Sequence, residues 1–160
     1  MDPRCSTTGL LWVHGKPGCG KSTLASQLIN HLSASTLPVL RVFCKNGTED
    51  KSDIVAVLRN ILFQLVENSG PKRKQLHSIV QAERMRAATP FANSLQQLWP
   101  VLERILQSID GFYCVIDALD ECTNSNQEIA DFVHQLTKIL NSSPNATAMR
   151  CIVFSRHQLP

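Results

Sequence analysis

Gly15-Lys16-Pro17-Gly18-Cys19-Gly20-Lys21-Ser22 is the stretch whose reading decides the fold. It fits the pattern G-x-x-x-x-G-K-[ST], a loop that wraps a polyphosphate. Successive backbone N–H groups must point inward at the anion, and side chains at the points of close approach would block them. Glycine accordingly stands at 15, 18 and 20. A helix that follows the loop aims its unpaired N–H groups and the positive end of its dipole at the same charge. Lys21 is spaced to reach the terminal phosphates, and the Ser22 hydroxyl to ligate Mg²⁺.

The flanks supply the strand and helix that this loop needs. Leu10-Leu11-Trp12-Val13 predicts a short buried strand, and apolar residues at 24, 28, 29 and 32 predict an amphipathic helix. Val39 to Cys44 reads as a second strand, left through an Asn46-Gly47 turn. A helix over 52–68 carries a wide apolar stripe and ends at Gly70-Pro71. Lys72-Arg73-Lys74 reads as a solvated loop. Residues 75–109 read as helical pieces, interrupted at Thr89-Pro90, with Pro100 kinking the second piece or starting another. Trp99 lies in that piece's apolar stripe and reads as core.

Phe112-Tyr113-Cys114-Val115-Ile116 is a continuous apolar run ending in Asp117, the pattern of a strand buried on both faces. Ser125-x-x-Glu128 is a capping box, opening a helix with Ile129, Phe132, Val133, Leu136, Ile139 and Leu140 on one face. Cys151 to Phe154 reads as a fourth strand leading into Ser155-Arg156. Strands alternating with helices predict an α/β three-layer αβα sandwich with a mostly parallel sheet, in one domain over 1–160. Ligands of such sheets bind at the carboxyl ends of the strands, where Gly15, Asp117 and Ser155-Arg156 converge. An acid ending an apolar strand is the Walker B arrangement, with Asp117 holding Mg²⁺ through its water shell.

Composition sets outer bounds. The chain is 43% hydrophobic, enough for a core, and its net charge of +3 is too weak and dispersed to predict a nucleic-acid partner. No run approaches the ~20 apolar residues of a membrane span, and polar Met1 to Thr8 does not read as a signal peptide. Cysteines at 5, 19, 44, 114, 122 and 151 form no C-x-x-C and no metal-spaced cluster. Cys114 and Cys151 lie in apolar runs and read as buried thiols of a reducing, cytoplasmic compartment. Cys19 reads as an ordinary loop residue.

Leu11 to Leu24, Asp117-Ala118-Leu119-Asp120-Glu121-Cys122 and Phe154-Ser155-Arg156 together resemble the NACHT class of signal-transducing P-loop NTPases, closest to the fungal, nephrocystin-like N-terminal type. The small residue after the Walker B acid, Ala118, and the further acids Asp120 and Glu121 mark that class. The resemblance implies a P-loop NTPase switch that binds ATP with Mg²⁺ and hydrolyses it slowly. It implies nucleotide contacts at Gly15, Lys16, Pro17, Gly18, Cys19, Gly20, Lys21, Ser22 and Thr23, and a metal held by Ser22 and Asp117. Asp120 or Glu121 would orient or deprotonate the attacking water, the two unranked, while Arg156 would sense the γ-phosphate. Self-association, or association with other NACHT-type chains, is the implied partnership.

The family's sheet has a fifth strand beside the phosphate-loop strand. The resemblance therefore implies a chain truncated before that strand, with Leu10 to Val13 left as an apolar edge. Downstream helical and repeat regions are absent from the 160 residues. The alternative function is a non-catalytic interaction module. A small-molecule kinase is disfavoured by the lack of an Arg-rich lid segment, and a GTPase by the lack of an Asn-Lys-x-Asp pattern. Preference for ATP over GTP rests on the resemblance.

Overall fold

The apolar runs become the strands of one parallel sheet. The computed structural model describes residues 9–44, 53–87 and 93–156. The readings that fall on Cys5, on Met1 to Thr8, on Asn46-Gly47 and on Thr89-Pro90 lie outside them. Along the chain come β1 (Leu10–His14), α1 (Lys21–Leu32), β2 (Val39–Phe43), α2 (Ile54–Glu67), α3 (Arg73–Arg86), α4 (Leu95–Leu106), β3 (Phe112–Asp117), α5 (Asn126–Ser142) and β4 (Met149–Ser155). The sheet order is β1-β4-β3-β2 and every pairing is parallel. Among the described residues β1 and β2 are therefore the edges, as expected for β1, whose Leu11 is 57% exposed.

The two faces of the sheet are covered unequally. On one, Leu40, Val42, Cys114, Ile116, Cys151 and Val153 join buried residues of α2, α3, α4 and α5 in a single large cluster. On the other, Val115 and Phe154 meet Ala25 and Ile29 of α1 in a small one. Strands β3 and β4 are covered on both sides, which is why the runs Phe112 to Ile116 and Cys151 to Phe154 are continuously apolar rather than alternating. Trp99 is core as read, its ring centroid 5.3 Å from that of Phe132. The capping box of α5 is formed: the Ser125 side chain accepts from Glu128 N–H while the Glu128 carboxylate accepts from Ser125 N–H.

Three local expectations are corrected. Of the two readings for Pro100, a kink or a new helix, the new helix is the one corrected, because Leu95–Leu106 runs through it. The burial of Leu98, Val101, Leu102, Ile105 and Leu106 holds the helix through the hydrogen bond that Pro100 cannot donate. Lys72-Arg73-Lys74 is not loop: Gly70–Lys72 is a 3-10 turn leading directly into α3. Lys72 pairs with Asp110 at 2.8 Å and Arg73 with Glu67 at 2.6 Å, so this stretch ties α3 to its neighbours. Helix α2 begins at Ile54 rather than 52, because the Asp53 carboxylate accepts from Ala56 N–H and caps it.

Candidate functional site

The loop between β1 and α1 takes the shape its glycines permit. Gly18 and Gly20 have φ of 76° and 87°, a left-handed conformation that L side chains rarely adopt. A Cβ on Gly15 would come within 2.9 Å of Cys19 Sγ. Helix α1 then starts at Lys21 with no side-chain cap, so the first-turn N–H groups of Lys21, Ser22 and Thr23 have no partner within the helix. Lys21 Nζ is held inside the loop, donating to the carbonyls of Gly15 (2.6 Å) and Lys16 (2.9 Å). It also lies 3.7 Å from Cys19 Sγ.

The acidic segment meets this loop from the neighbouring strand ends. Asp117 ends β3 with its side chain buried, and Ala118 turns the chain at φ 57°, ψ 40°. Ala118 carries a Cβ and therefore bears the strain of that left-handed turn, which glycine would avoid. A 3-10 turn over Leu119–Glu121 follows, anchored by the fully buried Leu119. It delivers Asp120 and Glu121 to the end of β4. There Asp120 grips Arg156 twice: Arg156 N–H donates to Oδ1 at 3.0 Å and Nε donates to Oδ2 at 2.6 Å. Glu121 Oε1 lies 3.5 Å from the same guanidinium. The hydrogen bond and charge of Asp120, with Glu121 adding a smaller share, push the Arg156 pKa above its already high range.

A cavity of about 400 Å³ lies between the two segments, within the range of small-molecule sites. Pro17, Gly18, Gly20, Lys21, Ser22 and Thr23 line one side, and Asp117, Ala118, Asp120, Glu121 and Arg156 the other. Gly15, Lys16 and Cys19 belong to the same loop without lining the cavity; the Lys16 and Cys19 side chains are exposed. A larger hollow of about 650 Å³ lies along edge strand β2, between the segment that precedes it and α2, but no motif residue reaches it.

The contents of the smaller cavity fit a magnesium polyphosphate. It offers a lysine ammonium, helix N–H groups, two hydroxyls (Ser22 and Thr23) and a buried carboxylate (Asp117). No group of three or more His, Cys, Asp or Glu among the described residues could cage a metal. A hard cation that keeps water and phosphate oxygens as ligands needs no such cage.

Two contacts of the site have no signal in the sequence. Trp12 Nε1 donates to Ser155 Oγ at 2.8 Å, tying the phosphate-loop strand to the end of β4, where Ser155 is fully buried. The Asp120–Arg156 clamp likewise joins residues far apart in the chain. Both depend on β4 lying between β1 and β3, which spacing does not reveal. No described helix is long and apolar enough to cross a membrane.

Comparison with known proteins agrees with this geometry. The chain is 32% identical over 156 residues to the vegetative incompatibility protein HET-E-1 of Podospora anserina, covering 92% of this chain and 11% of that protein. It is 23% identical over 130 residues to GTPase Der of Halothermothrix orenii, covering 80% of this chain and 25% of the relative. The chain thus spans a small part of the curated relatives it matches. A solved structure of an ABC transporter ATP-binding protein from Pyrococcus furiosus superposes with a TM-score of 0.49 at 12% identity, covering 95% of this chain and 80% of that one. The family model for the N-terminal region of nephrocystin 3 matches residues 2–156, a span that takes in the phosphate loop, the acidic turn and Arg156. The resemblance to NACHT-like, nephrocystin-type P-loop NTPases is therefore borne out, and the chain belongs to the nephrocystin 3 N-terminal family.

Proposed function

We propose that this chain is the nucleotide-binding module of a signalling switch, taking Mg-ATP in the cavity between the phosphate loop and the acidic turn. The observation that carries the reading is the convergence of Lys21, Ser22, Asp117 and the Asp120–Glu121–Arg156 cluster on one cavity at the strand carboxyl ends. The loop N–H groups and Lys21 would bind the phosphates, exchanging the loop carbonyls for phosphate oxygens. Ser22 and Asp117 would hold Mg²⁺, which supplies charge neutralisation across the phosphates.

The surroundings of the two acids support different roles. Asp120 is spent on Arg156 and its side chain is 7% exposed, so it acts as a positioning residue for the guanidinium. Glu121, 31% exposed, is the acid that orients the attacking water. Slow hydrolysis would then reset the switch.

Single-turnover hydrolysis tests these roles. Glu121→Gln is expected to bind Mg-ATP normally and lose turnover by about 10²-fold or more. Asp120→Asn is expected to weaken binding and turnover together, through a displaced Arg156. Equal turnover in wild type and Glu121→Gln would refute the assignment. Competition by GTP at equal concentration reports the base preference, which the likeness to GTPase Der makes worth measuring. A second reading, an interaction module without turnover, is favoured by the exposed Leu11 on edge strand β1. It predicts binding with no hydrolysis in any variant.

A further inference from the structure

Cys44 and Cys122 stand 78 residues apart in sequence, yet their sulfurs lie 3.5 Å apart and both residues are buried. Cys44 follows the last residue of β2, and its N–H donates to the Asp117 carbonyl at 3.0 Å. Cys122 closes the acidic turn, its N–H donating to the Leu119 carbonyl at 3.2 Å. The pair therefore joins the carboxyl end of β2 to the segment that carries Asp120 and Glu121.

We infer that Cys44 and Cys122 are a reversible oxidation site whose disulfide fixes the acidic turn to β2. The two sulfurs are electronically unequal. The contact between the two sulfurs shifts them in opposite directions, lowering the Cys122 pKa below its ordinary value against burial and the nearby Asp53 and Asp120 carboxylates. That same contact, then burial and the nearby carboxylates of Asp117 and Glu121, push Cys44 well above the usual thiol range. In so close a pair either thiol can take the first oxygen and the other resolve it.

A peroxide is the oxidant class small enough for a buried pair. With Cys122 reacting first, its thiolate attacks one peroxide oxygen and the O–O bond breaks. Cys122 becomes a sulfenic acid, and the departing hydroxide leaves as water with the proton Cys122 lost. The Cys44 sulfur then attacks the sulfenic sulfur, and the S–O bond breaks. Hydroxide departs with the Cys44 proton as a second water, leaving two thiols oxidised by two electrons and one peroxide reduced to two waters.

Closing the gap from 3.5 Å to the ~2.05 Å of an S–S bond draws Cys122 toward β2 and with it the turn that holds Arg156. The effect on nucleotide affinity rests on the reading under Proposed function. The other thiol pair, Cys114 and Cys151, sits in register on adjacent strands β3 and β4, remote from the turn, and serves as an internal comparison.

The test is peptide mapping of the 160-residue chain after hydrogen peroxide, without reduction. One peptide pair joining Cys44 to Cys122 is expected, lighter by two hydrogen atoms than the reduced peptides and reversed by dithiothreitol. It should be absent from Cys44→Ala and Cys122→Ala. Full alkylation of both thiols after peroxide treatment, or a sulfinic acid on Cys122 without the cross-link, overturns the inference. The wild-type map is decisive even where a variant fails to fold. Cross-linking is further expected to weaken binding of a fluorescent ATP analogue at least about fivefold, the low end of coupling between linked sites. Unchanged affinity in a chain shown to be cross-linked overturns the effect on the turn. Absence of binding by the reduced chain would instead overturn the nucleotide reading and leave the disulfide standing.

Discussion

The two faces of the sheet differ in what they are built to do. One lies under α2, α4 and α5, with α3 packed behind them, and holds most of the buried apolar residues. Among the described residues the other has α1 alone, a small cluster, and exposed apolar side chains at Leu11 and Phe43. The phosphate loop enters α1 on this sparse face, and Asp117 shares it, since β3 alternates and Asp117 stands two and four residues from Val115 and Tyr113. Most apolar burial lies on one side of the sheet, and the proposed phosphate-binding loop and Asp117 on the other, so truncation of the core should spare the site.

Truncation in the thick layer should have the largest effect on folding. Phe132→Ala removes a fully buried ring that contacts Trp99 and is expected to cost about 3–5 kcal/mol, read from urea unfolding. Nucleotide affinity of the fraction still folded should be unchanged; a parallel fall in affinity would break the separation of the two faces. At the site, Arg156→Ala leaves the nearly buried Asp120 carboxylate with only a backbone partner. It is expected to lower stability by about 1–3 kcal/mol, softened because Arg156 itself is 39% exposed.

Ser125→Ala removes the α5 cap at a cost of about 1 kcal/mol, seen as a lower urea midpoint with an unchanged slope. The cap has a pH signature as well. Hydrogen bonds from the Ser125 backbone and side chain lower the Glu128 pKa below its ordinary 4.5. Its contribution is therefore complete above about that value and is lost as pH falls through the lower folded value. The stability difference between wild type and Glu128→Gln should shrink toward zero as pH falls through the lowered Glu128 pKa; a difference that grows would contradict the sign. Smallest of all is the Lys72–Asp110 pair, whose Asp110 side chain is 81% exposed. Lys72→Ala should change stability by no more than ~0.5 kcal/mol, and a larger loss would give this surface pair a weight the comparison denies it.

How much was legible in the sequence follows the range of the interactions. The phosphate loop, the α5 capping box and the apolar stripes depend on residues within a few positions of one another, and all appear in the structure. Pro100 left two readings open because local propensity opposes helix there, and burial on either side of it carries the helix through. Lys72-Arg73-Lys74 misled because its partners Asp110 and Glu67 are supplied by other elements. The Asp120–Arg156 clamp, the Trp12–Ser155 bond and the Cys44–Cys122 contact depend on strand order, which local pattern does not encode. Hence the sequence points to both acids, whereas their division of labour is argued from the fold.

The central claim is that the loop on the sparse face binds a magnesium nucleotide through Lys21. Its most direct test is titration of a fluorescent ATP analogue into the folded chain with and without Mg²⁺, beside Lys21→Ala. Mg²⁺-dependent binding is expected, weakened at least about tenfold in Lys21→Ala by loss of a charge-assisted contact, with an unchanged urea midpoint. Absence of binding by the folded chain, or equal affinity in Lys21→Ala, would contradict the account.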